Sequence, residues 1–335
     1  MQHINWGVYG PGSIANRFAE AMQTVPGATI QSVAGRTPTK ARDFAERHNV
    51  ANVHPDLASL VADDEIQAVY IATTHNVHCQ VACACLHAGK AVLCEKPLAM
   101  NAQEVRQIMA AAEANNCFMM EALWTRFLPA WQRVRELLAT HAIGTPRMVH
   151  ANFGAAGSFD PNGRLLNKEL AGGALLDLGV YPIAMAQMML PGPVIGIQAA
   201  GEIGPTGVDI RTVMTLQFAN NTFAQLSASL GTRTDNSLTI AGDTGQIRVM
   251  EPFWGARDIE WTSDGKNRNR ESYPHRCNGF EEQIEEVNNA IRAGQIQSAI
   301  MPHADSLAIA TIMDTVRAQI GLTYPADRQP PSSAI

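Results

Sequence analysis

The sequence predicts an α/β protein of two domains: a doubly wound parallel sheet covered by helices, then an α+β domain with a large, mostly antiparallel open sheet. Three observations support this class. Short apolar runs alternate with helical patterns up to about residue 125, strands and turns dominate after Gly144, and 335 residues exceed what one core usually organises. We place the domains at residues 1–125 and 126–335.

The first domain contains five apolar runs separated by segments with helix-like spacing. The runs are INWGVYG, ATIQSVAG, QAVYIAT, KAVLCEK and CFMMEAL, and the intervening segments include SIANRFAEAMQTV and PTKARDFAERHNV. Strands separated by helices imply right-handed crossovers, and therefore a parallel sheet with helices on both faces.

The second domain consists mainly of strands broken by Asn-Asn, Asp-Thr-Gly and Gly-Pro turns. These strands lie in PRMVHANFG, VIGIQAAGEIG, IRTVMTLQFANNTFAQLSASL, NSLTIAGDTGQIRVM and RDIEWTS. GDTG between two apolar segments predicts a hairpin. We also predict one inserted helix near residues 173–190 and closing helices near 279–293 and 303–321.

The composition restricts the class of partner. A net charge of −6 and a pI near 5.9 do not show the excess of basic residues that binding to nucleic acid or an anionic membrane requires. The N-terminal residues do not form a signal peptide, and no run approaches the roughly 20 apolar residues that span a bilayer. Six cysteines, four of them within Cys79 to Cys94, do not resemble a secreted disulfide framework. We therefore expect a cytoplasmic protein with neither a nucleic-acid nor a membrane partner.

The first turn of the chain carries a dinucleotide-binding signature. Residues 10–15, GPGSIA, fit G-x-G-x-x-G/A between a predicted strand and an amphipathic helix. The first glycine allows a tight turn, the second the close approach of a pyrophosphate, and the alanine close packing of helix on strand. The helix N-terminus offers free N–H groups to phosphates. The predicted cofactor-binding residues here are Gly10, Gly12, Ser13, Ile14 and Ala15.

The end of the second strand favours NADP over NAD. An NAD site places Asp or Glu there to bind the ribose 2′-OH. Here Gly35 stands in the acid's place, and Arg36, Thr37 and Lys40 follow it. A guanidinium suits a 2′-phosphate because of its planar fork of donors. We predict that these three residues bind NADP(H); the alternative is that the two cations only flank a helix start.

The stretch LCEKPLAM, residues 93–100, sets a carboxylate and an ammonium directly after an apolar run. Ligands of a doubly wound sheet bind beyond the carboxyl ends of its strands, so Lys96 should point toward the cofactor crevice. Pro97 prevents a helix from starting there and biases Lys96 toward an extended conformation. We expect Glu95 to bond backbone or ribose, because neighbouring residues of an extended chain point to opposite sides.

Three motifs in this order resemble the Gfo/Idh/MocA oxidoreductases. They are the G-x-G-x-x-A turn, Glu95-Lys96-Pro97 and GGALLDLGVYP at residues 172–182, and the likeness covers essentially the whole chain. EALWTRFLP at 121–129 and the second-domain motif most resemble the branch of dimeric dihydrodiol dehydrogenase and NADP-dependent D-xylose dehydrogenase. The resemblance implies a Rossmann domain, NADP(H), and a substrate such as an aldose, a trans-dihydrodiol or a related dicarbonyl.

The resemblance also implies the catalytic residues. The family's EKP lysine corresponds to Lys96, and its second-domain aspartate and aromatic or imidazole acid correspond to Asp177 and Tyr181. Asp177 and Tyr181 are i and i+4, which puts them on one helix face. Many relatives have histidine where Tyr181 stands, and tyrosine agrees with the dihydrodiol and xylose branch.

The expected reaction is hydride transfer between a carbinol carbon and the nicotinamide, with proton transfer at the substrate oxygen. Tyr181 would be the general acid or base, and the positive field of Lys96 would lower its pKa from about 10. Lys96 would hydrogen-bond the reacting oxygen, and Asp177 would orient a neighbouring hydroxyl or the lysine. Two coupled groups titrate as a pair, so the sequence leaves open which of Lys96 and Tyr181 carries the proton.

The resemblance adds weaker candidates of two kinds. Residues that follow the run QAVYIAT correspond to positions that contact the nicotinamide ribose in relatives: Thr73, Thr74, Asn76 and His78. Trp124 and Arg126 resemble residues that line the nicotinamide and substrate pocket. Some relatives carry a Trp-Arg pair ahead of the aspartate; this chain has Gly163-Arg164, and Arg164 stays a cofactor-binding candidate.

Histidines and cysteines at residues 75–87 raise a metal hypothesis, which we do not favour. Cys79 and Cys83 share a helical face, but Cys85 points elsewhere and no C-x-x-C pair is present. We interpret the segment as a crossover helix in which cysteine packs as a small apolar residue, and we predict no metal.

Two other functions fit parts of the pattern. A non-catalytic NADP-binding sensor would keep the cradle but would not need Lys96, Asp177 and Tyr181 together. An NAD-dependent glycosidase of the same superfamily is disfavoured by the signs of an NADP site. We therefore predict an NADP-dependent dehydrogenase acting on a sugar-like or dihydrodiol substrate. We also expect a homodimer, partly from the resemblance, because a broad exposed sheet face is prone to association.

Overall fold

A computed structural model of the chain describes residues 2–328. Contacts within it define two compact units. The first comprises Met1–Ala99, Gln103–Phe127 and His275–Leu307, and the second comprises Met100–Ala102, Leu128–Pro274 and Ala308–Ile335. The segment His275–Leu307 thus packs with the first unit although it follows much of the second in the chain. The division into domains 1–125 and 126–335 stays a prediction.

The first unit is built on a six-stranded parallel sheet. Its strands are β1 (Ile4–Tyr9), β2 (Ala28–Ala34), β3 (Asn52–His54), β4 (Ala68–Ile71), β5 (Ala91–Glu95) and β6 (Met119–Ala122), in the order β3-β2-β1-β4-β5-β6. The strand order reverses between β1 and β4, which is where a doubly wound sheet forms its ligand crevice. The predicted class is confirmed. Strand β3 was missed because its three residues do not form an apolar run.

Helices connect these strands: α1 (Ser13–Met22), α2 (Pro38–His48), α3 (Leu57–Val61), α4 (His78–His87) and α5 (Ala102–Ala114). Every residue of β4, β5 and β6 is buried, as expected for central strands covered on both faces. Helix α1 buries Phe18, whose ring stacks on Tyr70 of β4 at 3.9 Å between centroids. Helix α4 turns Cys85 into the core, in agreement with the predicted crossover helix.

The second unit contains an eight-stranded sheet. Its strands are β7 (Pro146–Ala155), β8 (Val194–Ile203), β9 (Asp209–Phe218), β10 (Phe223–Leu230), β11 (Leu238–Gly242), β12 (Gln246–Val249), β13 (Asp258–Thr262) and β14 (Asn269–Ser272), in the order β14-β13-β12-β11-β7-β10-β9-β8. All neighbours are antiparallel except β7 and β10, which run parallel. The predicted antiparallel sheet and the GDTG hairpin between β11 and β12 are both confirmed.

The two faces of this sheet differ in polarity and exposure. On β9, Met214, Leu216 and Phe218 are buried, whereas the intervening Val213 is 54% exposed. Ile195 on β8 and Phe223 on β10 are also exposed apolar side chains. One face of the sheet is therefore packed in the core, and the other is exposed and carries polar side chains such as Thr215 and Gln225 together with these apolar ones.

The remaining helices are α6 (Pro129–Ala139), α7 (Val180–Met189), α8 (Glu281–Arg292) and α9 (His303–Ile320). The last three of these correspond to the helices predicted near residues 173–190, 279–293 and 303–321. The one near 173–190 differs in that a π-helical turn, Leu175–Gly179, precedes α7. Contrary to expectation, the stretch Lys168–Met189 is long and apolar enough to cross a membrane, but 89% of its most apolar window is buried in the protein. Such burial is typical of a core helix.

Candidate active site

Two glycines shape the turn between β1 and α1, and their surroundings differ. Gly10 has φ of +95°, and a Cβ there would lie 2.8 Å from the carbonyl oxygen of Ala72, so only glycine fits. Gly12 has φ of −100°, and a Cβ there would meet no described atom within 4 Å. The backbone at Gly12 is therefore open to the approach of a pyrophosphate.

The N-terminus of the helix that follows this turn is suited to binding an anion. Gly12 is the N-cap of α1, and among residues 2–328 no side chain caps the helix. The N–H groups of a first helical turn lack intrahelical partners and favour negative charge. Thr73, which follows β4, has a buried Oγ1 that finds no hydrogen-bond partner in the described chain. The open glycine and the uncapped helix fit the phosphates of a dinucleotide, and the Thr73 hydroxyl is available for a further polar contact.

The end of β2 cannot hold the acid of an NAD site. A Cβ at Gly35 would lie 2.6 Å from Cδ of Pro11, so the position does not accept a side chain without movement of the turn. Arg36, Thr37 and Lys40 are exposed, and Thr37 is the N-cap residue of α2. The structure thus places all three predicted residues on the surface beside the glycine turn.

A cavity of about 260 Å³ lies beside this turn, and its lining adds residues that sequence reasoning missed. Pro11, Gly12, Ser13, Asn16, Lys40, Asp43, Phe44 and Arg47 line it. Lys40 and Arg47 are seven residues apart, which puts both on one face of α2, and this spacing was the available signal. Arg47 donates to Asn16 Oδ1 at 3.1 Å, so the cavity wall is held together by polar contacts.

The loop after β4 contains three of the predicted cofactor residues besides Thr73. Thr74 donates to Asn76 at 2.8 Å, and Asn76 is exposed. His78 is completely buried, with Nδ1 2.9 Å from the carbonyl oxygen of Pro97 and Nε2 3.2 Å from that of Thr73. Burial lowers the pKa of His78. His78 therefore ties the loop after β4 to the loop after β5 and has no exposed surface for a ligand.

Lys96 follows β5 directly. It is the one residue of 91–100 that is not buried. The Lys96–Pro97 peptide bond is cis. Glu95 accepts a hydrogen bond of 2.5 Å from the Tyr70 hydroxyl. The structure thus leaves Lys96 partly exposed while its chain neighbours are buried.

A buried carboxyl lies beyond this loop. Glu121 of β6 accepts a hydrogen bond of 2.9 Å from the backbone N–H of Leu98. Burial raises the pKa of Glu121, although hydrogen bonds with Ser306 and the N–H of Leu98, and the charges of Arg126 and Lys96, act in the opposite direction. The available sequence signal was one acid inside the apolar run CFMMEAL.

Trp124 and Arg126 have different surroundings. Trp124 stacks on Phe280 with ring centroids 5.1 Å apart, and the Arg17 guanidinium lies 5.3 Å from the centroid of Trp124. Arg126 is completely buried and forms a 2.5 Å ion pair with Asp305. Substrate contact by Arg126 stays a prediction, and it would require this ion pair to open.

The second unit brings two predicted residues into contact. Arg164 donates to Asp177 Oδ1 at 2.8 Å. Asp177 lies in the π-helical turn and Tyr181 in the first turn of α7, and both are buried. Arg164 was expected to bind cofactor; in the structure its observed partner is the predicted catalytic aspartate.

Aromatic side chains surround Tyr181, and sequence reasoning missed them. The ring of Phe153 lies 5.6 Å from that of Tyr181 and stacks on Trp254 at 3.5 Å. Phe153 comes from β7 and Trp254 from a turn one hundred residues later, so no local pattern connects them. Together they form an apolar wall beside the tyrosine.

Buried polar side chains bind the backbone of the segment that precedes α7. Asp209 accepts from the N–H of Leu175 at 2.8 Å and from Thr212 Oγ1 at 2.7 Å. Tyr324 donates to the carbonyl oxygen of Gly172 at 2.5 Å.

Within residues 2–328, no three His, Cys, Asp or Glu side chains are grouped so that they could hold a metal ion.

The two halves of the chain each match a known protein-domain family. Residues 4–123 match an oxidoreductase family with an NAD-binding Rossmann fold, and residues 131–248 match the Gfo/Idh/MocA C-terminal domain. Trans-1,2-dihydrobenzene-1,2-diol dehydrogenase of Danio rerio is 36% identical over 335 residues, which cover 97% of this chain and 99% of the relative. The chain belongs to the Gfo/Idh/MocA family of oxidoreductases. The Homo sapiens protein of the same name is 32% identical with the same coverage.

Solved structures of other oxidoreductases share the fold of this chain. A 3-ketoreductase from Actinomadura kijaniata in complex with NADP and TDP-benzene is 25% identical, with a TM-score of 0.86 over 95% of this chain and 98% of that one. Aldose-aldose oxidoreductase from Caulobacter crescentus, at 19% identity, has a TM-score of 0.87 over 95% and 97%. At this low sequence identity, the match to the aldose-aldose oxidoreductase shows only that the two proteins share a fold. The predicted family, fold and oxidoreductase class are confirmed.

Proposed function

We propose that this Gfo/Idh/MocA oxidoreductase is an NADP(H)-dependent dehydrogenase of a trans-dihydrodiol or sugar-like substrate. The observation that carries the cofactor preference is Gly35, which packs so tightly on Pro11 that the acid of an NAD site would fit there only if the turn moved. Arg36 follows it, exposed and able to offer a fork of donors to a 2′-phosphate. The ketoreductase bound to NADP supports the same cofactor.

The residues of the first unit would bind the dinucleotide and supply a positive charge. The open backbone at Gly12 and the start of α1 would bind the pyrophosphate, Arg36, Thr37 and Lys40 the 2′-phosphate, and Thr73 a ribose or amide group. When bound, the nicotinamide supplies the hydride donor or acceptor. Lys96 would hydrogen-bond the reacting oxygen and stabilise alkoxide character there.

The residues of the second unit would bind the substrate and move its proton. Tyr181 would give or take the proton at the reacting oxygen. Asp177, oriented by Arg164, would accept a hydrogen bond from a neighbouring hydroxyl. The Phe153–Trp254 stack offers a flat apolar surface, which favours a substrate with a planar or unsubstituted face. Relatives named dihydrobenzenediol dehydrogenase, at up to 36% identity, support a dihydrodiol first and an aldose second.

A second copy of the chain is the proposed partner of the outer sheet face. Val213 and Ile195 are 54% and 61% exposed on neighbouring strands, and Phe223 adds an aromatic ring. Exposed apolar side chains on an open sheet face favour association with a second copy. Val213→Glu should convert a dimer to monomer in light scattering, whereas Val53→Glu, on the first unit, should not. Monomeric wild-type protein would refute the proposal. A cytoplasmic location stays a prediction.

The deciding experiment is a titration of the purified protein with NADPH and NADH by nicotinamide fluorescence. A turnover screen of trans-dihydrodiols, aldoses and dicarbonyls with the tighter cofactor should follow. Tighter NADPH binding and turnover of a dihydrodiol or aldose would support the proposal. Tighter NADH binding would refute the cofactor assignment, and tight NADPH binding without turnover of any of these would favour a sensor.

A further inference from the structure

Three buried polar side chains contact residues on both sides of Lys96, one through the Glu95 carboxylate and two through the backbone of Pro97 and Leu98. Tyr70 of β4 donates to Glu95 at 2.5 Å, His78 of α4 lies 2.9 Å from the carbonyl oxygen of Pro97, and Glu121 of β6 accepts from the N–H of Leu98 at 2.9 Å. Tyr70 and His78 are 0% exposed and Glu121 is 2% exposed. We call these three residues the lysine clamp.

One member of the clamp, Glu121, carries a desolvation cost. Taking a carboxyl out of water is unfavourable unless hydrogen bonds replace its hydration. Glu121 uses Oε1 for Leu98, but its Oε2 has no hydrogen-bond partner in the part of the chain that the structure describes. Its strand neighbours Met120 and Ala122 are apolar and completely buried. An apolar side chain at position 121 would avoid this desolvation cost but would leave the buried N–H of Leu98 without its acceptor.

The directions of the clamp bonds are fixed by packing. The Tyr70 ring lies flat on Phe18, with centroids 3.9 Å apart and planes inclined by 9°, so its hydroxyl points in one direction. Glu121 projects from a strand paired with β5, so its carboxyl cannot drift relative to the loop. The chain on each side of Lys96 is thus tied to rigid elements, while the lysine itself is the unburied residue of the segment.

We propose that Tyr70 and Glu121, acting with His78, are positioning residues that hold the Lys96 ammonium at a fixed place. The inference rests on the proposed function, in which Lys96 contacts the reacting oxygen. A displacement of a reacting group by about 1 Å can lower a rate by about 100-fold, so the clamp acts on turnover more than on cofactor affinity. None of the three residues needs to touch substrate or cofactor.

Four variants separate positioning from stability. Tyr70→Phe keeps the ring on Phe18 and removes the hydroxyl. Glu121→Gln keeps an oxygen for the N–H of Leu98, whereas Glu121→Met removes it at similar length. Ser32→Ala is the matched control, because Ser32 is completely buried in β2 and donates at 2.5 Å to Asp63, apart from the clamp. The midpoint of thermal unfolding, the Kd for NADPH, kcat and KM are measured for each.

Tyr70→Phe and Glu121→Met should lower kcat by about 10- to 100-fold and leave the Kd for NADPH within about twofold. Glu121→Gln and Ser32→Ala should keep kcat within about threefold of wild type. The proposal is overturned if Glu121→Gln loses as much turnover as Glu121→Met. A loss in Ser32→Ala equal to that in Tyr70→Phe would also overturn it.

A second readout does not depend on turnover. Lysines are dimethylated with ¹³C-formaldehyde, and the Lys96 signal, assigned with Lys96→Arg, is followed by NMR against pH. Its shift and titration midpoint should change in Tyr70→Phe and Glu121→Met and stay as in wild type in Ser32→Ala. An unchanged signal in all variants would refute the clamp. Wild-type turnover in Lys96→Met would instead refute the catalytic role in the proposed function, and the NMR result would stand apart from it.

Discussion

Arg164 donates a 2.8 Å hydrogen bond to the carboxylate of Asp177. The arginine side chain is 55% exposed and that of the aspartate only 8%, so a half-exposed cation pairs with a nearly buried anion. A charge-assisted bond of this kind sets the direction of the remaining carboxylate oxygen. The pair therefore links a residue expected to bind cofactor to one expected to orient substrate.

Arg164→Met should lower kcat/KM by about tenfold, because Asp177 loses the donor that orients it. Arg164→Lys should recover part of that loss through its single charged donor. The free energy of unfolding should change by less than about 1 kcal/mol, since the arginine is largely solvated. Steady-state kinetics and urea unfolding test this. Unchanged kcat/KM in Arg164→Met would show that Asp177 does not depend on the pair.

The sequence predicted the fold wherever local signals coincide with tertiary structure. Apolar runs bounded by turns predicted five of the six parallel strands, and the GDTG turn predicted the β11–β12 hairpin. Strand β3 is only three residues long and lies at the edge of the sheet, so it needs no apolar run. The π-helical turn depends on Asp209, which contacts Leu175 from 34 residues away. Periodicity does not encode a contact of that range.

The site was predictable to the extent that each residue carries its own chemistry. Gly10, Lys96 and Tyr181 could be named because a turn, a charge after a strand and a family motif mark them. Phe153 and Trp254 could not, because they meet only after the sheet has formed. The roles of the named residues stay predictions, which the variants below test.

Gly12→Ala and Gly10→Ala should have opposite consequences. At Gly12 the new methyl group meets no described atom, so stability should be unchanged while NADPH binding weakens about tenfold or more. At Gly10 the positive φ and the 2.8 Å approach to Ala72 should destabilise the fold by about 1–3 kcal/mol. Urea unfolding and fluorescence titration measure both. Equal destabilisation in the two variants would contradict the assignment of an open phosphate site to Gly12.

Arg36→Ala should weaken NADPH binding by about tenfold or more and change NADH binding by less than about twofold. The reason is that only NADPH carries the phosphate that the guanidinium would contact. Arg47→Ala, on the cavity wall, should show a smaller difference of the same sign. Titration with both cofactors at low and high salt measures these effects. Equal losses for the two cofactors in Arg36→Ala would rule out a 2′-phosphate contact.

Tyr181→Phe and Lys96→Met should each lower kcat by about 100-fold or more while NADPH binding is retained. Tyr181→Phe keeps the ring contact with Phe153 and removes only the hydroxyl, so the fold should be retained. Burst kinetics and fluorescence titration separate the chemical step from cofactor binding. Wild-type turnover in Tyr181→Phe would remove the tyrosine from the acid–base role.

The raised pKa of Glu282 predicts that the free energy of unfolding depends on pH. Burial and the neighbouring Glu281 raise the pKa of Glu282 from 4.5 to about 7, and its Oε2 is buried without a hydrogen-bond partner among the described residues. Between pH 4.5 and 7 the unfolded chain ionises this carboxyl while the folded chain keeps it protonated. The unfolded state then binds fewer protons, so stability falls as pH rises through this window and stays low above it.

Glu282→Gln should therefore stabilise the protein by about 1–3 kcal/mol at pH 8 and have little effect at pH 4.5. Loss of the 3.7 Å ion pair with Arg276 offsets part of the gain. Glu285→Gln is the matched control, because it makes the same charge change on α8 but removes a 2.8 Å ion pair to Arg276 at a more exposed carboxyl. Unfolding midpoints at both pH values decide between them. A stabilisation by Glu282→Gln that is equal at pH 4.5 and pH 8 would show that ionisation of Glu282 is not its cause.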